Sequence, residues 1–200
     1  MISAIILAAG MSSRMGMPKQ LLTLGNKALI RVVTENVLAS AVDEVLVVTG
    51  HLEKEVSAAV SDLPVKVVYN PRYEQGQGTS LALGIQSIDE KASAFLVLMS
   101  DQPLITASLI NLAIEEFRKN SCLALRPTYQ GLPGHPVVFS ASLRAKLCDL
   151  KGDEGARQIL KKLGDKVYYL PVRDEAVVFD VDTPENFERL KVNSKRSDTL

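Results

Sequence analysis

The stretch ISAIILAAGMSSRMGMPKQ, residues 2–20, decides the fold. It opens with an apolar run at residues 2–7, and such a run is typical of a strand that is buried on both faces of a parallel sheet. Three small residues follow at positions 8–10, where a ligand can approach the backbone closely. After a polar loop, residues 27–39 have helical spacing. The stretch and the residues after it therefore predict a strand, a loop and a helix.

Strands and helices continue to alternate over the first 120 residues, which predicts an α/β fold whose mostly parallel sheet has helices on both faces. We interpret the chain as one three-layer, Rossmann-like domain, residues 1–193, followed by a flexible tail, 194–200. Further strands are predicted at residues 44–49, 65–69, 94–99, 123–129, 137–139, 166–170 and in the β-branched run 177–181. Further helices are predicted at residues 53–60, 80–88 and 153–163, after Thr106, and with Pro184 in the first turn.

Composition excludes several classes of partner. Hydrophobic residues make up 46% of the chain, enough for a large core. Lys and Arg together number 23, as do Asp and Glu, so no net charge attracts nucleic acid or an anionic membrane. The first apolar run is too short for a signal peptide or a membrane span. We therefore expect a cytoplasmic protein without nucleic-acid or membrane partners.

The loop after the first strand carries two cations, Arg14 and Lys19, which match the charge of a nucleoside triphosphate. Neither familiar phosphate-binding motif fits this loop. The P-loop motif fails because Met17 follows Gly16, and the dinucleotide motif GxGxxG fails because Gly10 has no glycine two positions later. The residues alone leave two interpretations open, a triphosphate-binding loop and an ordinary turn with two solvated charges.

Aspartates follow two of the predicted strands. Asp101 comes at the end of the strand at residues 94–99, and open parallel sheets bind their ligands at that end. A carboxylate there can hold Mg²⁺ together with substrate phosphates, or it can cap a helix. Asp180 and Asp182 alternate along the last predicted strand, so we expect them on one side, where one of them can share the metal ion with Asp101. Asp182 or Thr183 can also cap the last helix.

Six segments, taken together and in order, resemble the MobA-like nucleotidyltransferase family, and most closely its molybdenum cofactor cytidylyltransferase branch. They cover most of residues 1–190, and the resemblance implies a nucleotidyltransferase fold. The segments are LAAGMSSRMGMPKQLL (7–22), YNPRYEQGQGTSLALG (69–84), SDQPL (100–104), GLPGHPVVF (131–139), KGDEGAR (151–157) and DVDTPENF (180–187).

The resemblance implies a role for each candidate site residue. Arg14, Lys19 and Asp101 would be catalytic, and Asp101 would bind Mg²⁺ with Asp182 or Asp180 as the second ligand. His135 and Arg157 would bind the acceptor. The nucleotide would be bound by Leu7, Ala8, Ala9, Gly10, Arg14, Lys19, Thr79 and Ser80.

The implied activity is the transfer of CMP from CTP to the terminal phosphate of molybdopterin or molybdenum cofactor, with release of pyrophosphate. Guanylyl-transferring members tend to have LAGG where this chain has LAAG, so the loop resembles the cytidylyl branch. The product would pass to a molybdoenzyme. Two alternatives stay open: a relative that uses GTP or a sugar or polyol phosphate, and a non-catalytic protein that binds molybdenum cofactor.

Overall fold

The computed structural model of the chain describes residues 1–11 and 17–197. Arg14 lies outside the described residues, so its position on a triphosphate stays a prediction. The strands are β1 (Ile2–Ala8), β2 (Thr23–Leu24), β3 (Lys27–Ala28), β4 (Glu44–Thr49), β5 (Lys66–Tyr69), β6 (Ala94–Met99), β7 (Ala124–Tyr129), β8 (Leu132–Pro133), β9 (Val137–Ser140) and β10 (Val167–Pro171).

Helices connect most of these strands. They are α1 (Leu29–Leu38), α2 (Glu53–Ala58), α3 (Gln77–Ser87), α4 (Ala107–Lys119), α5 (Arg144–Cys148), α6 (Arg157–Leu163) and α7 (Pro184–Ser197). Helix α4 begins directly after Thr106, as the sequence predicts, and Thr106 caps it by accepting a hydrogen bond from the amide of Leu109. Within the described part of the chain, none of the helices has the length and apolar composition needed to cross a membrane.

Eight strands form one mixed sheet, in which seven follow the order β10-β7-β9-β6-β1-β4-β5 and β8 pairs with β7. Strand β1 is parallel to both β4 and β6, β4 is parallel to β5, and β7 is parallel to β10. Strand β9 runs antiparallel to β6 and β7. The predicted α/β fold with a mostly parallel sheet is confirmed.

Every residue of β1 is buried, because helices cover both faces of the sheet at this strand. On one face, Ile6 belongs to a core cluster that includes Ile30 of α1 and Ile110 of α4. On the other face, Ile5 belongs to a cluster that includes Ile85 of α3. The apolar run of β1 thus reflects burial on both sides, as expected for a central parallel strand.

Two predicted helices begin later than the sequence pattern indicated. At α1, Gly25 has a backbone φ of 64° and turns the chain, so that β2 and β3 pair as a short hairpin and the helix begins at Leu29 instead of residue 27. In the predicted helix 153–163, Gly155 has a φ of 50°, and α6 begins only at Arg157.

The segment before the last helix is not a strand, which corrects the expected alternation of its two aspartates. Glu175–Val178 forms a 3-10 helix. The amide of His135 donates a hydrogen bond to the carbonyl oxygen of Val177 over 2.8 Å. The amide of Val181 donates to the carbonyl oxygen of Asp101 over 3.0 Å. Because these backbone groups bond to loops instead of a neighbouring strand, the segment crosses the carboxyl end of the sheet.

Helix α7 begins at Pro184 as predicted and continues through Ser197, so residues 194–197 lie within it. Leu190 of this helix packs in a third cluster with Leu29 of α1. The domain boundary and the flexible tail stay predictions.

Gly134 lies where the loop before β9 passes the segment before α7. A Cβ atom at this position would lie 2.0 Å from the carbonyl oxygen of Val177. The obstacle is a backbone atom, so no side-chain rotation can relieve it. This close approach also holds the neighbouring residue, His135, against Val177.

We expect Gly134→Ala to lower the free energy of unfolding by about 1–3 kcal/mol or more, because an overpacked site must shift its backbone. Urea denaturation followed by circular dichroism measures the change. The control is Gly10→Ala, since a Cβ atom there meets no described atom within 4 Å, and we expect it to change stability by less than about 0.5 kcal/mol. Equal stabilities of the two variants would contradict the close approach at Gly134.

Candidate active site

A cavity of about 760 Å³ lies at the carboxyl ends of β1 and β6. These ends lie side by side because the two strands pair in parallel, with Leu7 opposite Met99. The volume is within the range of small-molecule sites, roughly 300–1,000 Å³, and the position is where open α/β sheets bind ligands.

The ammonium group of Lys19 lies between two carboxylates of this cavity. Its Nζ atom donates a hydrogen bond to Oδ2 of Asp101 over 3.1 Å and another to Oδ1 of Asp182. The side chains of Lys19 and Asp101 are only 16% and 17% exposed. The contact joins the loop after β1, the end of β6 and the segment before α7. The structure thus brings together three residues that the sequence pattern selected from distant positions.

Three aspartates, Asp101, Asp180 and Asp182, lie around the ammonium group of Lys19 and interact with it. Burial raises the pKa of Asp101, although Lys19 opposes the shift. Burial and the negative charge of Asp101 raise the pKa of Asp180 to about 6. For Lys19, burial lowers the pKa, but its interactions with Asp182 and Asp101 outweigh burial and raise it. Burial is thus the main cause of the raised pKa values of the two aspartates, while the carboxylates keep Lys19 protonated.

The oxygens of Asp101 and Asp182 that contact Lys19 suit a hard cation. Mg²⁺ takes one or two carboxylates and completes its coordination with water and substrate phosphates. Among the described residues, no three acidic, histidine or cysteine side chains are grouped so that they could hold a metal ion. Asp101 and Asp182 supply the two carboxylates that Mg²⁺ can take beside substrate phosphates.

Asp180 has a different partner from Asp182. Nε2 of Gln102 donates a hydrogen bond to Oδ1 of Asp180 over 2.5 Å and lies 3.1 Å from Nδ1 of His135. Gln102 itself is only 2% exposed. The two aspartates thus belong to two neighbouring contacts, one with Lys19 and one with Gln102.

Three basic residues, Arg126, His135 and Arg157, line another part of the same cavity. Nε of Arg126 donates to the carbonyl oxygen of Gly134 over 2.9 Å. Burial lowers the pKa of Arg126, and the charge of Arg157 contributes to this shift. Burial and Arg126 lower the pKa of His135 to about 3, so its imidazole is neutral near pH 7. Two arginines beside a neutral imidazole form a site suited to an anion.

The residues expected to bind the nucleotide fall into two groups. Ala8 and Thr79 are outside the cavity lining. The hydroxyl of Thr79 instead accepts a hydrogen bond from Nδ2 of Asn70 over 2.9 Å, which ties the glycine-rich loop to the end of β5. Contacts between the lining residues and a nucleotide stay predictions. The expected residues that do line the cavity are Leu7, Ala9, Gly10, Lys19 and Ser80.

Neither Arg126 nor Gln102 was predicted as a site residue from the sequence. For Arg126 a signal existed, because it is a charged residue inside a short strand, Ala124–Tyr129, that contributes to the core. For Gln102 none existed, since it lies in the quoted segment SDQPL but its importance depends on contacts with residues far away in the sequence.

The raised pKa of Asp180 predicts a change of stability with pH. The folded protein holds the Asp180 proton more tightly than an unfolded chain, whose aspartates titrate near 3.8. Ionisation of Asp180 between about pH 4 and pH 6 therefore destabilises the folded state. One pKa unit corresponds to about 1.4 kcal/mol, and partial solvation of this side chain reduces the effect.

We expect Asp180→Asn to raise the free energy of unfolding by about 1–2 kcal/mol at pH 8, because the amide cannot ionise yet still accepts from Gln102. The gain should fall towards zero as the pH approaches 4. Urea denaturation at several pH values, with a metal chelator present, measures the difference. The exposed residue Asp165 gives the control Asp165→Asn, for which no such trend is expected. Equal stability of wild type and Asp180→Asn at every pH would contradict the burial of this charge.

The sequence model of the MobA-like NTP transferase domain matches residues 4–167. Relatives of similar length have diverse names. Nicotine blue oxidoreductase of Paenarthrobacter nicotinovorans is 29% identical over 94% of this chain and 96% of its own. Purine catabolism protein PucB of Bacillus subtilis (strain 168) is 32% identical over 94% of each chain. Molybdenum cofactor cytidylyltransferase of Escherichia coli (strain K12) is 29% identical over 93% of each chain.

Solved structures share the fold over nearly the whole chain. A nucleotidyl transferase from Methanothermobacter thermautotroptrophicus has a TM-score of 0.86 at 25% identity and covers 98% of this chain and 99% of its own. Rv0371c from Mycobacterium tuberculosis H37Rv has a TM-score of 0.85 at 27% identity and covers 94% of this chain and 96% of its own. A manganese complex of Rv0371c has a TM-score of 0.81 at 25% identity and covers 94% of this chain and 97% of its own. Because the family model also covers well over half of the sequence, this chain belongs to the MobA-like NTP transferase domain family.

Proposed function

We propose that the chain transfers CMP from CTP to the terminal phosphate of a molybdopterin-type acceptor and releases pyrophosphate. The observation that carries the proposal is the ammonium group of Lys19 between Asp101 and Asp182, in the same cavity as Arg126 and Arg157. The acidic part suits a metal-bound triphosphate, and the basic part suits the phosphate of an acceptor. A transferase that joins two anionic substrates needs both the acidic and the basic part of the cavity.

The carboxylates of the acidic part suit a divalent cation. Asp101 and Asp182 contact the ammonium group of Lys19, Asp180 lies close to both aspartates, and carboxylate oxygens are the protein ligands that Mg²⁺ takes beside substrate phosphates. Asp101 and Asp182 would hold Mg²⁺, and the bond between Asp180 and Gln102 favours Asp182 over Asp180 as the second ligand. The bound ion would supply neutralisation of the triphosphate charge. The manganese complex of Rv0371c is consistent with a divalent ion at such a site.

The reaction needs no general base and no covalent enzyme intermediate. An acceptor phosphate is largely dianionic near neutral pH, since its second pKa is about 6. One of its oxygens attacks the α-phosphorus of CTP, and the bond from that phosphorus to pyrophosphate breaks. Lys19 and Arg14 would offset the charge on the departing pyrophosphate. The protein's part is to align two anions and neutralise them.

The choice of CTP rests on Ala9 in the LAAG loop, which lines the cavity, and on the cytidylyltransferase among the relatives. The acceptor class rests on that relative and on the paired arginines. Because the other relatives have different names, the assay also tests alternative functions. These are transfer from GTP, transfer to a sugar or polyol phosphate, non-catalytic binding of molybdenum cofactor, and a redox activity.

Pyrophosphate release from CTP, GTP, ATP and UTP tests the proposal, with Mg²⁺ and molybdenum cofactor in molybdate-loaded and metal-free forms. We expect release with CTP, and the nucleotide coupled to the cofactor. Release with GTP alone would overturn the base assignment. Release only with a sugar or polyol phosphate would overturn the acceptor. Reduction of nicotine blue by a reduced nicotinamide nucleotide, without any pyrophosphate release, would replace the proposal.

We expect Asp101→Asn and Lys19→Ala each to lower kcat by about 100-fold or more, the usual effect of removing a group that stabilises transition-state charge. Steady-state pyrophosphate release measures kcat, and circular dichroism checks folding. The exposed residues Asp165 and Lys119 provide the controls Asp165→Asn and Lys119→Ala, which should keep wild-type rates. Wild-type turnover in a folded Asp101→Asn or Lys19→Ala variant would remove that residue from catalysis.

We expect Arg126→Gln to raise the KM for the acceptor about tenfold or more while the KM for CTP changes less than about twofold, because a charge-assisted hydrogen bond to phosphate is lost. Initial rates with one substrate varied at a time separate the two constants. Arg118, on the exposed side of α4, gives the control Arg118→Gln. An equal rise in both KM values would mean that Arg126 supports the cavity as a whole.

A further inference from the structure

Gln102 makes all its side-chain hydrogen bonds through one atom. Nε2 lies 2.5 Å from Oδ1 of Asp180 and 3.1 Å from Nδ1 of His135. Oε1 is buried and, among the described side chains, is the one buried polar atom without a hydrogen-bond partner. A buried, unbonded carbonyl oxygen destabilises a folded protein, so its presence indicates that the orientation of this amide serves another purpose.

The chemistry of an amide group fixes the state of the histidine. Nε2 of glutamine carries two hydrogens and cannot accept a hydrogen bond, so both of its neighbours must be acceptors. Nδ1 of His135 is therefore unprotonated, and the proton of the neutral ring is on Nε2. The reverse orientation of the amide would place Oε1 against a carboxylate oxygen of Asp180. Asp180 thus sets the orientation of Gln102, and Gln102 sets the tautomer of His135.

The other ring nitrogen of His135 is available to a ligand. Nε2 has no hydrogen bond to a described residue and is not among the buried atoms, while His135 lines the cavity beside Arg126. Burial and the charge of Arg126 keep the pKa of His135 at about 3. This part of the cavity therefore offers an uncharged hydrogen-bond donor, the imidazole of His135, next to two charged arginines.

We propose that Gln102 is a positioning residue that holds His135 in the Nε2–H tautomer, so that the imidazole donates a hydrogen bond to an uncharged oxygen or nitrogen of the acceptor. The arginines suit the acceptor's phosphate, whereas a neutral donor suits a carbonyl oxygen or an unprotonated ring nitrogen beside it. The kinetic consequence rests on the proposed function, but the tautomer is a property of the free protein.

The tautomer can be measured by nitrogen-15 NMR of the imidazole rings near neutral pH. The chain has only two histidines, and His51→Asn assigns the signals. We expect Nδ1 of His135 to have the shift of an unprotonated nitrogen and Nε2 that of a protonated one. In Gln102→Leu we expect averaged shifts, and in Gln102→Glu a protonated Nδ1, because a carboxylate accepts where the amide donates. Circular dichroism checks that the variants fold.

A protonated Nδ1 in the wild type, or an unchanged tautomer in a folded Gln102→Leu or Gln102→Glu variant, would overturn the proposal.

Steady-state kinetics test the proposed hydrogen bond from His135 to the acceptor. Gln102→Leu should raise the KM for the acceptor about tenfold, the loss of one hydrogen bond, and leave the KM for CTP within about twofold. The exposed Gln86 gives the control Gln86→Leu. A changed tautomer with an unchanged acceptor KM would overturn the contact with the acceptor. If no acceptor reacts with the wild type, the proposed function fails, and the NMR result still decides the role of Gln102.

Discussion

The burial of β1 on both faces is the constraint on which the site depends. Its neighbours β4 and β6 must run parallel to it and end at the same edge, because helices on the two faces return the chain to the opposite edge each time. The hydrogen bonds of the ladder continue past the strands: the amide of Ser100 donates to the carbonyl oxygen of Leu7 over 3.1 Å, and the amide of His51 donates to that of Ala9 over 3.3 Å. Asp101 therefore follows a backbone that the core already holds in place.

Charge divides the cavity into two parts. Around Lys19 lie three carboxylates, and burial is the main cause that raises the pKa values of Asp101 and Asp180. Around Arg126 the nearby charge is positive, and burial together with the charge of Arg157 lowers the pKa of Arg126. Buried ionisable groups with shifted pKa values are common at sites that bind charged substrates.

The local sequence pattern was sufficient to predict the strands of the sheet but not to predict all residues of the site. Strands at residues 44–49 and 94–99 were predicted to the residue, since burial on both faces leaves a continuous apolar run. The apolar run at residues 177–181 has the same local appearance, yet its backbone bonds to loops, and only tertiary contacts distinguish the two cases. Gln102 was missed for the same reason. Asp101 follows β6 closely and Lys19 lies in the loop after β1, so the order of the strands was enough to predict that both line one cavity.

The relatives named an oxidoreductase, a purine catabolism protein and a cytidylyltransferase each cover 93% or 94% of this chain, so gross architecture cannot be what separates their activities. The difference must lie in side chains within a shared fold. In this chain, β7 and the loop before β9 supply a half-buried arginine, Arg126, and a neutral histidine, His135, to the cavity. The cluster of Lys19, Asp101 and Asp182 comes instead from the loop after β1, the end of β6 and the segment before α7. Under the proposed function, a change of Arg126 or His135 would alter the acceptor, because the residues proposed to hold the nucleotide and its metal ion lie on these other segments.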